Sequence, residues 1–513
     1  VADAIKINAN DNVAVALRDI AEGEVIFGIE IMNPIRVGHK FALQTVKNGE
    51  NVIKYGYPIG TATHRINPGD HVHVQNTKTN LADKIEYTYN PVNPPKSAET
   101  DENDKINKTD KKATFMGYRR ADGQVGIRNE VWIINTVGCV NKVAEKIAKN
   151  FDNVFTFVHP YGCSQLGGDH THTQIVLKNL VNHPNAAGVL VLGLGCENNN
   201  IAEFKKVLGD WSDSRVKFLN AQDVSDDIAK GTELVKELLN YAATFNREPI
   251  PINELIIGLK CGGSDGLSGI TANPLVGKIS DKIIQNGGSC LLTEVPEMFG
   301  AETILMDRCI NEATFNKAVS LINNFKDYFT SHGQVVYENP SPGNKDGGIT
   351  TLEEKSLGCT QKGGTSTVTD VLDYGERVKN KGLVLLQGPG NDIVAVTNLA
   401  AAGAHIVLFT TGRGTPLGGP VPTIKISSNT NLAKNKPTWI DFNAGVLVDN
   451  IDKINKTNKL DKLDKLAKTD NAETEQVAED FFAYLIKVAN GEKTNNEIND
   501  YREIAIFKDG VTL

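Results

Sequence analysis

Residues 188–208 read GVLVLGLGCENNNIAEFKKVL. An apolar run of strand length stops at a glycine-rich turn, and a helical pattern follows. Working outward, the same unit recurs. EVWIINTVG (130–138) precedes NKVAEKIAKNF (141–151), and VFTFVHP (154–160) precedes TQIVLKNLVN (173–182). ELIIGLK (254–260) leads through a loop to PLVGKISDKIIQNGG (274–288), and SCLLTEV (289–295) follows. GLVLLQ (382–387) leads to DIVAVTNLAAAG (392–403) and then to HIVLFTTG (405–412). Strands alternating with periodic helices predict α/β architecture with mainly parallel sheets. A long helix over roughly 226–245 marks the join between two such domains.

Three of the loops carry a cysteine after an apolar run: Cys163 in FTFVHPYGCSQLGG, Cys196 in GVLVLGLGCENN and Cys261 in LIIGLKCGGSDGLSG. The carboxyl ends of strands are where α/β folds place ligands. Glycine there lets the backbone approach a small molecule closely.

Residues 1–80 differ. IKINAND, NVAVALRDI, GHKFALQTV, PIGTATHRI and HVHVQN are short, alternating segments separated by turn pairs, which predicts a small β-rich domain. Residues 91–113 are rich in Pro, Lys, Asp and Asn, with too little apolar surface to offset the cost of ordering. The expected division is a β domain at 1–90, an exposed linker at 91–114, an α/β domain at 115–247 and a C-terminal α/β domain at 248–513. The Lys/Asp/Asn-rich run 451–470 reads as a solvated helix or loop.

A chain of 513 residues exceeds one core and implies several domains. A net charge of −8 argues against a nucleic-acid surface, and no apolar run approaches the ~20 residues that span a bilayer. Seven dispersed cysteines fit a reducing cytoplasm better than a disulfide framework, and no secretory leader is visible. A homo-oligomer is left open.

Two residue sets could hold a metal. Thiolates of Cys163, Cys196 and Cys261 suit iron or an iron–sulfur cluster without a fourth protein ligand. The alternative is imidazole: His71 and His73 lie at i, i+2 on a strand, hence on one face. His159 and the pair His170 and His172, beside Asp169, are further candidates. Charged groups near these loops include His39, Lys40, Glu197, Asp265, Glu294, Glu297 and Arg413. The glycine loops match neither the phosphate loop nor the dinucleotide fingerprint, which argues against a nicotinamide oxidoreductase.

The strings GHKFAL, HVHVQNTKTNL, YGCSQLG, LKCGGSDGLSGITANPLVG, LTEVPEMFGAE, ENPSPGNKDGGITTLEEKSLGCTQK and LFTTGRGTP together resemble the altronate/galactarate dehydratase family. The resemblance runs from about residue 5 to the C-terminus, apart from the linker. It implies a SAF-type N-terminal β domain and loss of water from a sugar acid. It also implies dependence on Fe2+, with Mn2+ as a substitute. HVHVQN, EVPEMFGAE and SLGCTQK are altronate-type strings, so the implied reaction converts D-altronate to 2-keto-3-deoxy-D-gluconate in galacturonate catabolism. Galactarate, an aldaric acid that needs one more cation in the pocket, is the close alternative. A non-catalytic sugar-acid-binding protein is the alternative of another class.

The expected mechanism removes the C2 proton beside a metal-bound carboxylate and protonates the departing C3 hydroxyl. His39 or Lys40 supplies one half of the acid–base pair, and Asp265 or Glu294 the other. Arg413 holds the substrate carboxylate, and Gly262, Gly263 and Ser264 line the pocket. This places the site between the β domain and the C-terminal domain.

Overall fold

The computed structural model describes residues 2–81, 84–92, 113–449 and 472–509. Most of the expected linker and the whole 451–470 run lie outside the described residues. Thr114, the last residue of the expected linker, opens the strand Thr114–Arg119.

The N-terminal domain is all β among the described residues, as expected. Ala4–Ile5, Val13–Ala16, Lys40–Ala42 and His71–Val72 form one antiparallel sheet. Asn51–Lys54, Tyr57–Ala62 and Thr77–Lys78 form another. Val13, Val52, Ile59 and Val72 fill the space between, joined by Ala301 and Leu357 of the C-terminal domain. The β domain thus completes part of its core with a neighbour, as a small domain with little surface to bury must.

The second domain is a parallel sheet in the order Val154–Thr156, Glu130–Asn135, Ala186–Gly193, Val216–Asn220. Its strands are apolar throughout because both faces are covered. Ile147, Val235 and Leu238 cover one face. Val176, Leu180 and Phe204 cover the other and merge with Leu399 and Val407 of the C-terminal domain. The helix expected near 226–245 is Asp227–Ala242, and the Asp226 side chain caps it by accepting from Ala229 N at 2.8 Å.

The C-terminal domain holds seven parallel strands. Their order is Val368–Leu372, Gly382–Leu386, Ser289–Leu292, Ile256–Cys261, Ile406–Thr411, Thr423–Ser427, Phe442–Asn443. From the first strand in the chain, Ile256–Cys261, the sheet grows first to one side and later to the other. That reversal leaves a crevice beyond Cys261 and Thr411. No described helix is long and apolar enough to cross a membrane.

Candidate active site

The two loops at this reversal interlock. Gly412 N and Arg413 N both donate to Gly263 O, at 3.0 and 2.8 Å. Gly263 has φ +63°, which glycine adopts without strain. A Cβ on Gly262 would lie 2.6 Å from both the Asp392 carboxylate and the Phe409 ring. Ser264 is buried and its carbonyl accepts from Asn344 Nδ2 at 2.8 Å. Asp265 accepts from Leu267 N, Ser268 Oγ, Ser428 Oγ and Asn429 Nδ2 at 2.8–3.1 Å. The carboxylate of Asp265, expected as an acid–base candidate, thus anchors the loop.

The β domain docks onto this crevice. Gly266 N donates to Gly347 O at 2.7 Å, and Gly266 lies so close to Gly38 that a Cβ there would meet Gly38 O at 1.9 Å. Behind the contact, Lys40 Nζ donates to Gly348 O (2.9 Å), Thr350 Oγ1 (2.7 Å) and Glu354 Oε2 (2.8 Å). Lys54 Nζ donates to the other oxygen of Glu354 at 2.8 Å. Burial pulls Lys40 down to about 8 against the pull of Glu354. Burial would raise the Glu354 carboxyl, but Lys40 and Lys54 outweigh it and hold it down to about 2. Lys40 is sealed from solvent with all three protons donated. Lys40, expected as one half of the acid–base pair, fastens the β domain to the C-terminal domain through these bonds.

Above this seal stand three histidines. The rings of His39, His71 and His73 have centroids 5.1–5.6 Å apart. His39 Nε2 is 3.1 Å from the Asp346 carbonyl, which can only accept, so this nitrogen carries the proton. Neutral His39 then accepts at Nδ1, and His71 Nε2, 3.0 Å away, is the donor. His73 Nδ1 lies 2.9 Å from Thr350 Oγ1, the hydroxyl that Lys40 fixes. Burial lowers all three, His71 to about 4 and His73 to about 3, with the nearby cations and imidazoles adding to it. Neutral imidazoles are what a divalent metal requires.

At the mouth, Asp346 pairs with Arg36 at 2.8 Å and with Arg413 at 3.0 Å. Two guanidinium groups share one carboxylate, which leaves one positive charge for an incoming carboxylate. Side-chain exposure of 62% for Arg36 and 46% for Arg413 keeps both within reach of solvent.

Beneath lies a buried ionic cluster. Lys260 pairs with Glu294 and, at 2.9 Å, with Asp392. Glu294 also meets Lys362 at 3.3 Å, and Glu297 meets Lys355 at 2.8 Å. Burial and the Glu297 charge push the Glu294 carboxyl up, while the lysines oppose this. Glu294, expected as one half of the acid–base pair, is 1% exposed and lies among lysines.

The three thiols expected to share a metal do not form one ligand set. Cys163 and Cys196 are exposed on the second domain. Cys261 is buried, with its sulfur 3.2 Å from Cys359 Sγ and 2.9 Å from Glu297. Among the described residues, Cys261, Glu297 and Cys359 are the group whose ligating atoms all lie within 4.8 Å of one another. His159 serves the backbone, with Nε2 at Asn135 O (2.8 Å) and Nδ1 accepting from Tyr161 N (3.2 Å). His170 and His172 lie on the helix Gly167–Val181, where residues two apart do not share a face. Glu197 takes Thr136 Oγ1 at 2.6 Å and the amides of Leu194 and Gly195, so it shapes its own loop.

Sequence reasoning passed over Asp346, Thr350, Glu354, Lys355, Lys362 and Cys359. One signal was present. The helix Leu352–Cys359, LEEKSLGC, is buried along its whole length yet carries three charges. Charges there had to be paired.

Comparison with known proteins agrees with this architecture. Residues 2–80 match the altronate/galactarate dehydratase SAF domain. Residues 117–243 match the second domain of D-galactarate dehydratase/altronate hydrolase, and 252–469 the C-terminal domain of D-galactarate/altronate dehydratase. The chain is 54% identical over 523 residues to altronate dehydratase of Bacillus subtilis (strain 168), with 99% of each chain covered. It is 52% identical over 523 residues to altronate dehydratase of Escherichia coli (strain K12), again with 99% of each covered. To galactarate dehydratase (L-threo-forming) of Escherichia coli (strain K12) it is 30% identical over 531 residues, covering 98% of this chain and 96% of the relative.

Proposed function

The chain belongs to the altronate/galactarate dehydratase family, and we propose on that premise that it dehydrates D-altronate to 2-keto-3-deoxy-D-gluconate and water. The observation that carries this reading is the histidine chain of the β domain, hydrogen-bonded to the Asp346 carbonyl beside Arg36 and Arg413. It supports a sugar-acid site at the domain interface. The place in the cytoplasm and in galacturonate catabolism is part of the proposal and rests on the family alone. The lower identity to the galactarate enzyme speaks against an aldaric acid. So does the single unbalanced positive charge at the mouth, since an aldarate would bring a second carboxylate.

His71 and His73 would hold a divalent ion, iron(II) or manganese(II), since both are neutral imidazoles on one sheet edge. Such an ion, when bound, lends Lewis acidity to the substrate carboxylate and makes the C2 proton easier to remove. Arg413 and Arg36 orient that carboxylate. His39 takes the C2 proton at Nδ1, the nitrogen without a proton because Nε2–H is committed to Asp346 O, once substrate displaces the hydrogen bond that Nδ1 accepts from His71. The C3 hydroxyl leaves as water after gaining the proton that His39 took from C2. The enol then loses its hydroxyl proton and gains one at C3, which gives the 2-keto product. Lys40, Thr350 and Glu354 hold His73 and the docking loop in place.

The test is keto-acid release from D-altronate and from galactarate, with iron(II) or manganese(II) supplied. Preference for D-altronate is expected. Equal or faster turnover of galactarate would overturn the substrate, and binding without keto-acid release would make the protein a sugar-acid binder.

A further inference from the structure

Three exposed cysteines stand at the carboxyl edge of the second domain's sheet. Cys139 follows the strand Glu130–Asn135, Cys163 follows Val154–Thr156 and Cys196 follows Ala186–Gly193. These strands are neighbours with Glu130–Asn135 in the middle, so the three loops lie side by side. The sheet grows in both directions from that central strand, the arrangement that opens a crevice at the carboxyl ends.

The backbone ties these loops together next to each thiol. Gly138 N donates to Tyr161 O at 2.9 Å, and Asn199 N donates to Gly162 O at 3.0 Å. Ser164 N donates to Asn198 Oδ1 at 2.8 Å. Gly162, at φ +97°, lies so near the first loop that a Cβ would stand 2.0 Å from Thr136 O. Each cysteine is therefore within three residues of a contact to a neighbouring cysteine loop.

A second observation is independent of the sulfurs. Asn135 Oδ1, Gln165 Nε2 and Asn199 Oδ1 are buried without a hydrogen-bond partner, on residues 0%, 4% and 0% exposed. Buried polar atoms are ordinarily paired. These three belong to the same strand end and loops as the cysteines. In addition, the helices Asn141–Ala148, Gly167–Val181 and Ile201–Leu208 each begin within five residues after one of the thiols. Their N-terminal ends favour an anionic group.

The three sulfurs do not come within 4.8 Å of one another as the atoms of Cys261, Glu297 and Cys359 do. One ion cannot take all three without movement of the loops, whereas a polynuclear cluster spans a wider gap. We propose that Cys139, Cys163 and Cys196 ligate a [4Fe–4S] cluster whose fourth iron has no protein ligand. Cys139 takes the place that the sequence reading gave to Cys261. The proposal does not rest on the dehydration reading, because its residues are separate from the histidine site.

The test uses the full chain, purified without oxygen and incubated with iron(II) and sulfide, then desalted. About four irons and four sulfides per chain are expected, together with a brown thiolate-to-iron absorption. Cys139→Ser, Cys163→Ser and Cys196→Ser should each lose more than half of the bound iron and sulfide, with the circular dichroism of the fold unchanged. Cys290→Ser, Cys309→Ser and Cys359→Ser should keep both. Iron uptake without sulfide, no uptake at all, or a triple serine variant that loads like the parent would overturn the proposal. Loss confined to Cys359→Ser would also overturn it, by placing the iron at the buried pair.

Discussion

Lys40 of the β domain donates to Glu354 of the C-terminal domain across 2.8 Å, and neither side chain is more than 1% exposed. Lys54 grips the other oxygen of the same carboxylate. Two lysines thus converge on one glutamate at a domain junction. Removing one partner of a buried pair leaves an uncompensated charge, which costs about 3–5 kcal/mol. Lys40→Met should lower the melting temperature by several degrees. The β domain should also become more open to protease, because the lost bond crosses the interface. A variant with parental melting and proteolysis would show that the bond does not hold the domains.

Acid should weaken the same junction. The Glu354 carboxyl lies at about 2 when folded, against an ordinary 4.5. The folded state therefore binds fewer protons than the unfolded state between these values. The stabilisation is complete above about pH 4.5 and drains away as pH falls toward about 2. Scanning calorimetry across this range should show a steeper acid limb for the parent than for Glu354→Gln, even where the variant is weaker at neutral pH. Parallel limbs would contradict the assignment.

Much of this was legible in the chain and some was not. The parallel sheets followed from strand runs such as Ile256–Cys261 and Ile406–Thr411, because burial on both faces writes itself as continuous apolar sequence. His71 and His73 were legible as a pair because strand periodicity is local. His39 could be suspected but not joined to them, since antiparallel pairing of Lys40 with Val72 brings the rings together across thirty residues. The burial of Lys40 and Glu294 was not legible, for the opposite reason. A charged residue looks exposed in sequence, and the partners that let it be buried come from distant segments. That Cys139 lies beside Cys163 and Cys196 depends on strand order, which no single loop encodes.

The roles within the histidine cluster separate by measurement. His39→Gln should lower kcat by about 100-fold or more, the scale of losing a general base, while metal content is kept. His73→Ala should instead lower metal affinity by about 10-fold or more. Metal content by mass spectrometry, read beside kcat, distinguishes these outcomes. If His39→Gln also loses the ion, His39 is a ligand and the base lies elsewhere.

Close backbone approach sets the docking geometry, so the smallest side chain should disturb it. A Cβ on Gly266 would stand 1.9 Å from Gly38 O, an atom that cannot retreat without moving the loop leading to His39. Gly266→Ala should cost about 1–3 kcal/mol by overpacking and reduce kcat together with stability. Gly343→Ala meets nothing within 4 Å and should melt close to the parent. Equal behaviour of the two variants would remove the loop contact from the account of the site.

Arg413 offers the sharpest test of substrate orientation. Its guanidinium meets Asp346 at 3.0 Å and its backbone is held by Gly263 O, so the side chain projects from a fixed point. Lysine would keep the charge but lose the planar pair of donors that matches a carboxylate. Arg413→Lys should raise KM for D-altronate by about 10-fold with a smaller change in kcat, and Arg413→Met should raise it further. The order of effects matters more than their size. If lysine restored KM fully, charge alone would suffice. If both variants left KM unchanged while kcat fell, Arg413 would act on the reacting centre and some other cation would hold the carboxylate. Arg36 shares Asp346 from the β-domain side and is then the next residue to vary.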